Sequence, residues 1–246
     1  MKNHAILLFL LLFPKVFWAQ TTNEKTIEKR SQIWTSFVST TKLNQHWDLV
    51  ADAGMRWNNF FESGYFSYMR GALNYKINPG VFVGGGYMHG WSAPANPDWE
   101  TLANENRIFE QVQLTSKLGN STVVQRLRNE QRWQEKLVND EVAETLRFTN
   151  RIRYQLNFNI PIFNDKKLPT IVTFDEIMVH YGKEVVFNTF DQNRFFIGIR
   201  QNINPKWSYD IGYLNIYQQK YSGYQYEMTH LLRLFVYLNT ELKEKK

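Results

Sequence analysis

The sequence predicts an all-β chain that folds into a single antiparallel, up-and-down transmembrane β-barrel after a cleaved signal peptide. About twelve strands are expected, with ten as the alternative. Three observations predict this fold: an apolar export segment at the N-terminus, eleven long strand-like runs, and connections that alternate between tight turns and longer loops. A tilted strand crosses a bilayer in about 9–11 residues, whereas strands of soluble proteins average about 5–6 residues. The length of the runs therefore favours a membrane barrel.

The N-terminal segment has the features of a secretory signal peptide. Lys2 precedes the apolar run at residues 5–13, and Ala19 is a small residue at a suitable cleavage position. The run is much shorter than the roughly 20 apolar residues of a membrane-spanning helix, so it is not expected to remain as an anchor. We therefore predict a signal peptide over residues 1–19 and export of the chain from Gln20 onward.

Composition excludes several protein classes. The chain has no cysteine, which removes disulfides, thiol catalysis and thiolate metal ligands. The formal charge of +6 falls to +4 when Lys2 and Lys15 leave with the signal peptide, and the arginines are spread along strand faces. Nucleic acid is therefore not an expected partner. No later apolar run approaches 18 residues, which excludes helical membrane spans.

Eleven runs have strand character and are separated by turn residues. They cover residues 31–40, 46–58, 64–77, 81–91, 105–118, 122–134, 143–160, 168–181, 191–203, 207–219 and 226–239. Tight turns at 78–80, 119–120, 164–167 and 204–206 alternate with longer loops at 92–104, 134–143, 182–190 and 219–225. Outer-membrane barrels sort their connections in this way, with short periplasmic turns and longer outside loops.

These runs divide the exported chain into three parts. We predict a polar lead-in over residues 20–30, a barrel over residues 31–240, and a charged tail over residues 241–246. Bacterial single-chain barrels have even strand numbers, so a further strand is expected within residues 21–33.

The alternation of side chains predicts which face of each strand meets lipid. Residues 147–160 place Phe148, Ile152 and Tyr154 on one face and Arg151 on the other. Several apolar faces end in aromatic residues, which the membrane interface selects. The apolar faces are therefore expected to meet lipid and the arginines to face the lumen. A soluble, lipocalin-like barrel of about eight strands, with its apolar face inside, is the alternative.

Several short motifs occur in a fixed order along these runs. They are IWTSF (33–37), Arg56, GGGY (84–87), IFEQVQL (108–114), QRLRNEQRW (125–133), RIRYQL (151–156), FDEIM (174–178), FDQNRFFIGI (190–199) and IGYLNIYQQ (211–219). The ordered set resembles the family called domain of unknown function 2490, predicted outer-membrane β-barrels of Gram-negative bacteria. The resemblance implies a barrel fold and an outer-membrane location, and it brings no established activity.

The charged residues on the arginine faces form the main candidate site. The predicted lumen charge network consists of Arg126, Arg128, Glu130, Arg132, Arg147, Arg151, Arg153, Glu176, Arg194, Arg200 and Asp210. Glu110 and Glu227 are further carboxylates that could pair with these arginines. Paired charge would simply fill a narrow barrel, whereas rings of arginine select anions in pores. The pattern leaves both interpretations open.

Three histidines lie near run ends that the loop pattern assigns to the outer rim. His89, His180 and His230 are weak catalytic candidates for an outer-membrane lipid hydrolase, which would pair a histidine with a nearby serine or carboxylate. Ser92 and Glu227 lie three residues from His89 and His230. The histidines do not share one face of their strands, so no metal site is predicted.

These observations together predict an outer-membrane barrel whose role is structural or is the passage of small anions through an arginine-rich lumen. A lipid hydrolase is the alternative, and no cofactor is expected. The expected partners are outer-membrane lipid and small anionic solutes, without nucleic acid and without a known protein partner. The loop at residues 92–104 could fold over the mouth of the barrel.

Overall fold

The computed structural model describes residues 23–94, 96–163, 165 and 168–242, and this part of the chain consists of strands and their connections. The strands are β1 (Thr26–Lys42), β2 (Trp47–Asn58), β3 (Ser63–Asn78), β4 (Val81–Ser92), β5 (Ala103–Leu118), β6 (Ser121–Gln134), β7 (Leu137–Val138), β8 (Glu141–Val142), β9 (Arg147–Pro161), β10 (Thr170–Tyr181), β11 (Phe190–Asn202), β12 (Trp207–Gln219) and β13 (Gln225–Glu241). No helix in the described ranges could cross a membrane. The predicted signal peptide, residues 1–19, lies outside them.

Eleven of these strands form one closed barrel, in the order β1-β13-β12-β11-β10-β9-β6-β5-β4-β3-β2. β7 and β8 form a separate two-stranded ribbon within the connection from β6 to β9. Neighbouring barrel strands are antiparallel except at the seam, where β1 pairs in parallel with β13 from Thr26↔Gln225 to Lys42↔Glu241. The fold is thus a closed, all-β barrel as predicted, but it is mixed rather than wholly antiparallel.

The parallel seam explains why the described strands number eleven rather than the predicted twelve or ten. An up-and-down barrel closed only by antiparallel pairs needs an even number of strands, because its first and last strands must run in opposite directions. A parallel closing pair removes that requirement. The structure also places residues 26–30, part of the predicted lead-in, at the start of β1, so the described part of segment 21–33 extends the first strand and adds no other.

The two ends of the barrel carry different connections. We call the end with residues 43–46, 79–80, 119–120, 162–169 and 203–206 the turn end, and the end with residues 59–62, 93–102, 135–146, 182–189 and 220–224 the loop end. The predicted alternation of turns and loops is therefore confirmed, with residues 162–169 as the longest connection at the turn end. Because β1 and β13 run in the same direction, the chain enters the barrel at the loop end and leaves it at the turn end.

The predicted orientation of the side chains is confirmed. In β9, Phe148 and Ile152 are exposed on the outside, whereas Arg151 and Arg153 are buried in the lumen. In β2, Met55 is exposed on the outside. Such an apolar outer surface is what a bilayer would require of a transmembrane barrel.

Two mid-strand carboxylates depart from this apolar outer surface. Glu110, expected as a possible partner of the lumen arginines, instead points outward and accepts hydrogen bonds from the side-chain amides of Asn129 (2.5 Å) and Gln131 (3.1 Å). Asp175 also points outward and accepts from the Asn193 amide at 2.9 Å. Asp175 therefore takes the outer face and leaves Glu176, which is buried, on the inner face.

The lumen also contains an apolar cluster beside β1 and β10–β13. It comprises Trp34, Val172, Phe174, Phe196, Leu214, Ile216 and Leu231, with Phe235 packed against it. Phe196 is fully buried, and its ring lies against Gly198 and its cross-strand partner Gly212. A Cβ on Gly212 would clash with the backbone of Ile197 and Gly198 and would lie 2.9 Å from the Phe196 ring. The two glycines therefore provide the space that this large side chain occupies.

We expect Gly212→Ala to destabilise the barrel by about 1–3 kcal/mol, because the added methyl group clashes with the backbone of Ile197 and Gly198 and overpacks the Phe196 ring. The urea midpoint of the detergent-folded chain measures this effect. Gly71→Ala is the matched control, since a Cβ at Gly71 meets no atom within 4 Å. Equal midpoints for the two variants would contradict the packing argument.

Candidate functional site in the lumen

Neighbouring strands bring arginines and carboxylates together inside the barrel. The register pairs Glu130 of β6 with Arg151 of β9, and Arg128 with Arg153. Glu130 therefore lies directly across from Arg151 and diagonally across from Arg153. Glu130 accepts from Arg151 Nη2 at 2.6 Å and from Arg153 Nη1 at 2.7 Å. The strand alternation that keeps these side chains off the outer surface therefore also assembles the network.

A second carboxylate is shared by three arginines. Glu176 of β10 accepts from Arg153 and Arg126, each at 2.8 Å, and its other oxygen lies 4.0 Å from Arg194 Nη1. Glu176 is buried, as is Glu130. Burial of these charges is tolerable because each carboxylate meets several guanidinium groups in good hydrogen-bonding geometry.

The network continues toward the loop end through a layer that we call the plug, defined by Glu105, Arg132, Arg151, His180 and Asp191. Arg132 donates to Glu105 at 2.6 Å, and its Nη1 lies 2.8 Å from His180 Nε2. Arg151 donates to Asp191 at 2.8 Å. All five side chains are buried. The plug therefore fills the lumen near the loop end on the side formed by β5, β6 and β9–β11.

A cavity of about 460 Å³ occupies the remaining lumen. On β6 and β9 its lining lies on the turn-end side of the plug: Arg126, Arg128 and Glu130 line it, whereas Arg132 does not, and Arg153 lines it, whereas Arg151 does not. On β5 the lining reaches Arg107, which pairs with the plug residue Glu105 at 2.7 Å. At the turn end the lining includes Thr40, Asp48, Phe82 and Arg200. On the side of β6 and β9 the cavity thus ends at the plug, and from there it reaches toward the turn end.

The cavity carries an excess of positive charge. Its lining contains nine arginines (Arg56, Arg70, Arg107, Arg126, Arg128, Arg153, Arg194, Arg200 and Arg233) and five carboxylates (Asp48, Asp52, Glu130, Glu176 and Asp210), a surplus of four positive charges. Some arginines are nonetheless well paired, since Arg200 donates to both oxygens of Asp210 at 2.6 and 2.8 Å. A cavity of this size and charge suits a small anion.

Comparison with known proteins identifies the family. The family model described as "Protein of unknown function (DUF2490)" matches residues 31–227, which is most of the chain. The chain belongs to the DUF2490 family. No curated protein matches it. Among solved structures it is similar to the siderophore receptor PirA from Pseudomonas aeruginosa, with 8% identity and a TM-score of 0.31 over 72% of this chain. The matched region is 32% of the receptor, so this chain spans about a third of its length.

The structure places ten of the eleven predicted network residues of this DUF2490 protein in the lumen. The exception is Arg147, which lies at the loop end, where it donates to the Glu184 carbonyl at 3.3 Å and stacks 3.4 Å from the centre of the Tyr221 ring. Arg147 therefore joins two loops and is not part of the network. Glu105 and Asp191 are network members that the sequence interpretation missed.

The three candidate histidines are not brought together in this DUF2490 protein. His89 is on the outer face, where Nδ1 lies 2.7 Å from Asn106 Oδ1, and His230 is also on the outer face, 2.6 Å from the Tyr213 hydroxyl. Only His180 enters the lumen, where Asp191 lies 3.5 Å away. The described residues contain no group of histidine and acidic side chains that could hold a metal ion. No shared catalytic arrangement therefore supports the predicted rim site.

Loops of the DUF2490 barrel contact one another above the lumen. Asn188 of the β10–β11 loop is buried, with its amide 3.4 Å from His180 Nδ1. The β7–β8 ribbon turns at Asn139 and Asp140, whose positive φ values of 52° and 64° fit a type I′ turn. The Asp140 carboxylate accepts hydrogen bonds from the backbone N–H groups of Glu100 (3.0 Å) and Thr101 (2.8 Å). The ribbon therefore holds the end of the β4–β5 loop.

This loop contact is expected to depend on pH. The two backbone N–H groups lower the pKa of the Asp140 carboxyl below its ordinary value, because they stabilise its ionised form. The stabilisation is therefore complete above the ordinary value of about 3.9 and is lost as pH falls through the lowered pKa. Hydrogen exchange of the Glu100 and Thr101 amides should accelerate, relative to the intrinsic exchange rate, over that acidic range.

The Asp140→Asn variant should show faster exchange of these amides already at neutral pH. Asp98→Asn makes the same change within the β4–β5 loop and is expected to leave both amides protected. Protected amides in Asp140→Asn at neutral pH would show that the carboxylate does not hold the loop.

Proposed function

We propose that the protein is an outer-membrane barrel that admits small anions to its lumen from the turn end, with passage to the loop end controlled by the plug. The observation that carries this proposal is the cavity, which holds four surplus positive charges and ends at a layer of paired charge. Rings of arginine favour anions over cations in pores. Paired charge that fills the lumen and a path for anions are thus combined in one barrel, at different levels along its axis.

The outer-membrane location is supported by the outer surface and the strand lengths. Exposed side chains such as Ile152 and Phe195 face outward from mid-strand positions. The barrel strands span 12 to 17 residues, which exceeds the roughly 9–11 residues needed to cross a bilayer. A closed barrel leaves no unpaired strand edge in the bilayer. In this location the turn end would face the periplasm.

The proposal is tested by ion preference in a planar bilayer. The mature chain is folded in detergent, inserted into the bilayer, and held under a KCl gradient while single-channel currents are recorded. The expected result is a reversal potential that reports chloride over potassium, with the closed state dominant because the plug is intact. Currents that favour potassium would overturn the proposal, since the surplus arginines could not then line the path.

A further inference from the structure

Arg56 stands out in the lumen because its guanidinium group has no anionic partner. It stacks on two aromatic rings, 3.9 Å from the centre of the Trp34 ring and 4.5 Å from that of Phe66. Within the described ranges its side chain makes no hydrogen bond and no ion pair, and it lines the cavity. Stacking fixes the plane of a guanidinium group and leaves its N–H donors free at the edge.

Other donors around the same cavity are also incompletely paired. Arg128 is 4% exposed, yet its Nη1 has no hydrogen-bond partner among the described residues, and the nearest carboxylate oxygen, on Glu130, lies 3.8 Å away. The Nε group of Arg126 likewise has no partner within that part of the chain. Buried donors without partners are rare in folded proteins, because each carries a desolvation penalty.

Arg194 connects these groups to the Arg56 stack. Its guanidinium carbon lies 5.0 Å from the centre of the Trp34 ring, and its Nη1 is 4.0 Å from Glu176, which already accepts from Arg126 and Arg153. One carboxylate thus serves three arginines while Arg56 has none. Arg56 and Arg194 share the Trp34 ring, and Arg194 and Arg126 share Glu176, so a chain of contacts short of negative charge runs from the Trp34 stack to β6.

We propose that Arg56, Arg126, Arg128 and Arg194 form a binding site for a phosphate group, either as free phosphate or as part of a small phosphate ester. Guanidinium groups donate two parallel N–H bonds to an oxyanion, a geometry that a halide cannot match. A cavity of about 460 Å³ has room for a small molecule that carries the phosphate group. This inference rests on the proposed function, because the ligand would enter through the same turn-end cavity.

Isothermal titration calorimetry of the detergent-folded mature chain tests the site. Inorganic phosphate and glycerol phosphate are titrated separately at constant ionic strength, with chloride as the competing anion. We expect saturable binding of at least one of the two phosphate probes, and none of chloride. Binding of both would assign recognition to the phosphate group alone, and binding of the ester alone would assign the site to organic phosphates. A folded barrel that binds neither would overturn the inference.

The Arg56→Gln variant locates the site. Removing one charge-assisted donor group is expected to weaken phosphate binding by about tenfold or more. Arg147→Gln is the matched control, because Arg147 also stacks on an aromatic ring without a carboxylate partner but lies outside the cavity. Equal affinities in the two variants would overturn the assignment. Saturable phosphate binding without any anion current would support the binding site and contradict the proposed passage of anions. The two proposals can therefore fail independently.

Discussion

Replacing Glu130 with glutamine is expected to destabilise the folded barrel by about 3–5 kcal/mol, the cost of removing one partner from a buried ion pair. Glu130 is 2% exposed and accepts from Arg151 and Arg153. Glutamine keeps the size of the side chain and removes its charge, so both guanidinium groups lose a counter-charge in a region of low dielectric. The urea midpoint of the detergent-folded chain measures the loss.

Glu28→Gln is the matched control for this experiment. Glu28 pairs with Arg30 at 3.0 Å near the loop end, but its side chain is 60% exposed. An exposed pair contributes about 0–1 kcal/mol, so this variant should unfold close to the wild-type midpoint. If Glu130→Gln unfolded at the same urea concentration, the lumen network would not be a determinant of stability.

Truncating the plug is expected to convert a largely closed barrel into one that conducts in discrete steps. The variant combines Glu105→Ala, Arg132→Ala, Arg151→Ala and Asp191→Ala, which removes two positive and two negative side chains and leaves the net charge unchanged. Arg132 and Arg151 are removed together with a carboxylate partner each, which is less destabilising than removing one partner of each pair. Arg107 loses Glu105 but borders the widened cavity, so the barrel should still fold. The arginines that line the cavity remain, and the current should favour chloride over potassium.

The control for the plug variant is a neutral double truncation at the loop end, Glu28→Ala with Arg30→Ala. Both side chains lie outside the cavity lining, so this variant should show the closed behaviour of the wild type. Retarded migration on gels without heating verifies that each barrel is folded before recording. A folded plug variant without current would show that the plug is not the barrier to passage.

The strands could be predicted from the sequence because their signals are local. Each of the eleven predicted runs corresponds to one barrel strand, since side-chain alternation and turn residues act over a few positions. The parallel seam could not be predicted this way. It joins residues at opposite ends of the chain, and counting strands under the assumption of antiparallel closure led to twelve.

The lumen site could be predicted in part, including the carboxylates Glu130, Glu176 and Asp210. Strand parity placed the arginines inside, but the choice of partner depends on register and on irregularities that single strands do not reveal. Asp191 has no register partner on β10, because the register shifts at this point between Met178 and Val179. Glu105 lies on the same face as Arg107 and Phe109, a parity that could have assigned it to the lumen. Leu214 and Ile216 share the inward parity of Asp210, which was an available signal for the apolar cluster.

The seam between β1 and β13 also bears on how the barrel is assembled. The hydroxyl groups of Thr41 and Thr240 meet at 2.9 Å across 199 positions of sequence. Hairpins along the chain can form early, but this contact requires almost the whole chain, and such high contact order slows folding. Until then β1 and β13, each 17 residues long, present open edges that can pair with other chains. The completed seam therefore marks the point at which the risk of aggregation ends.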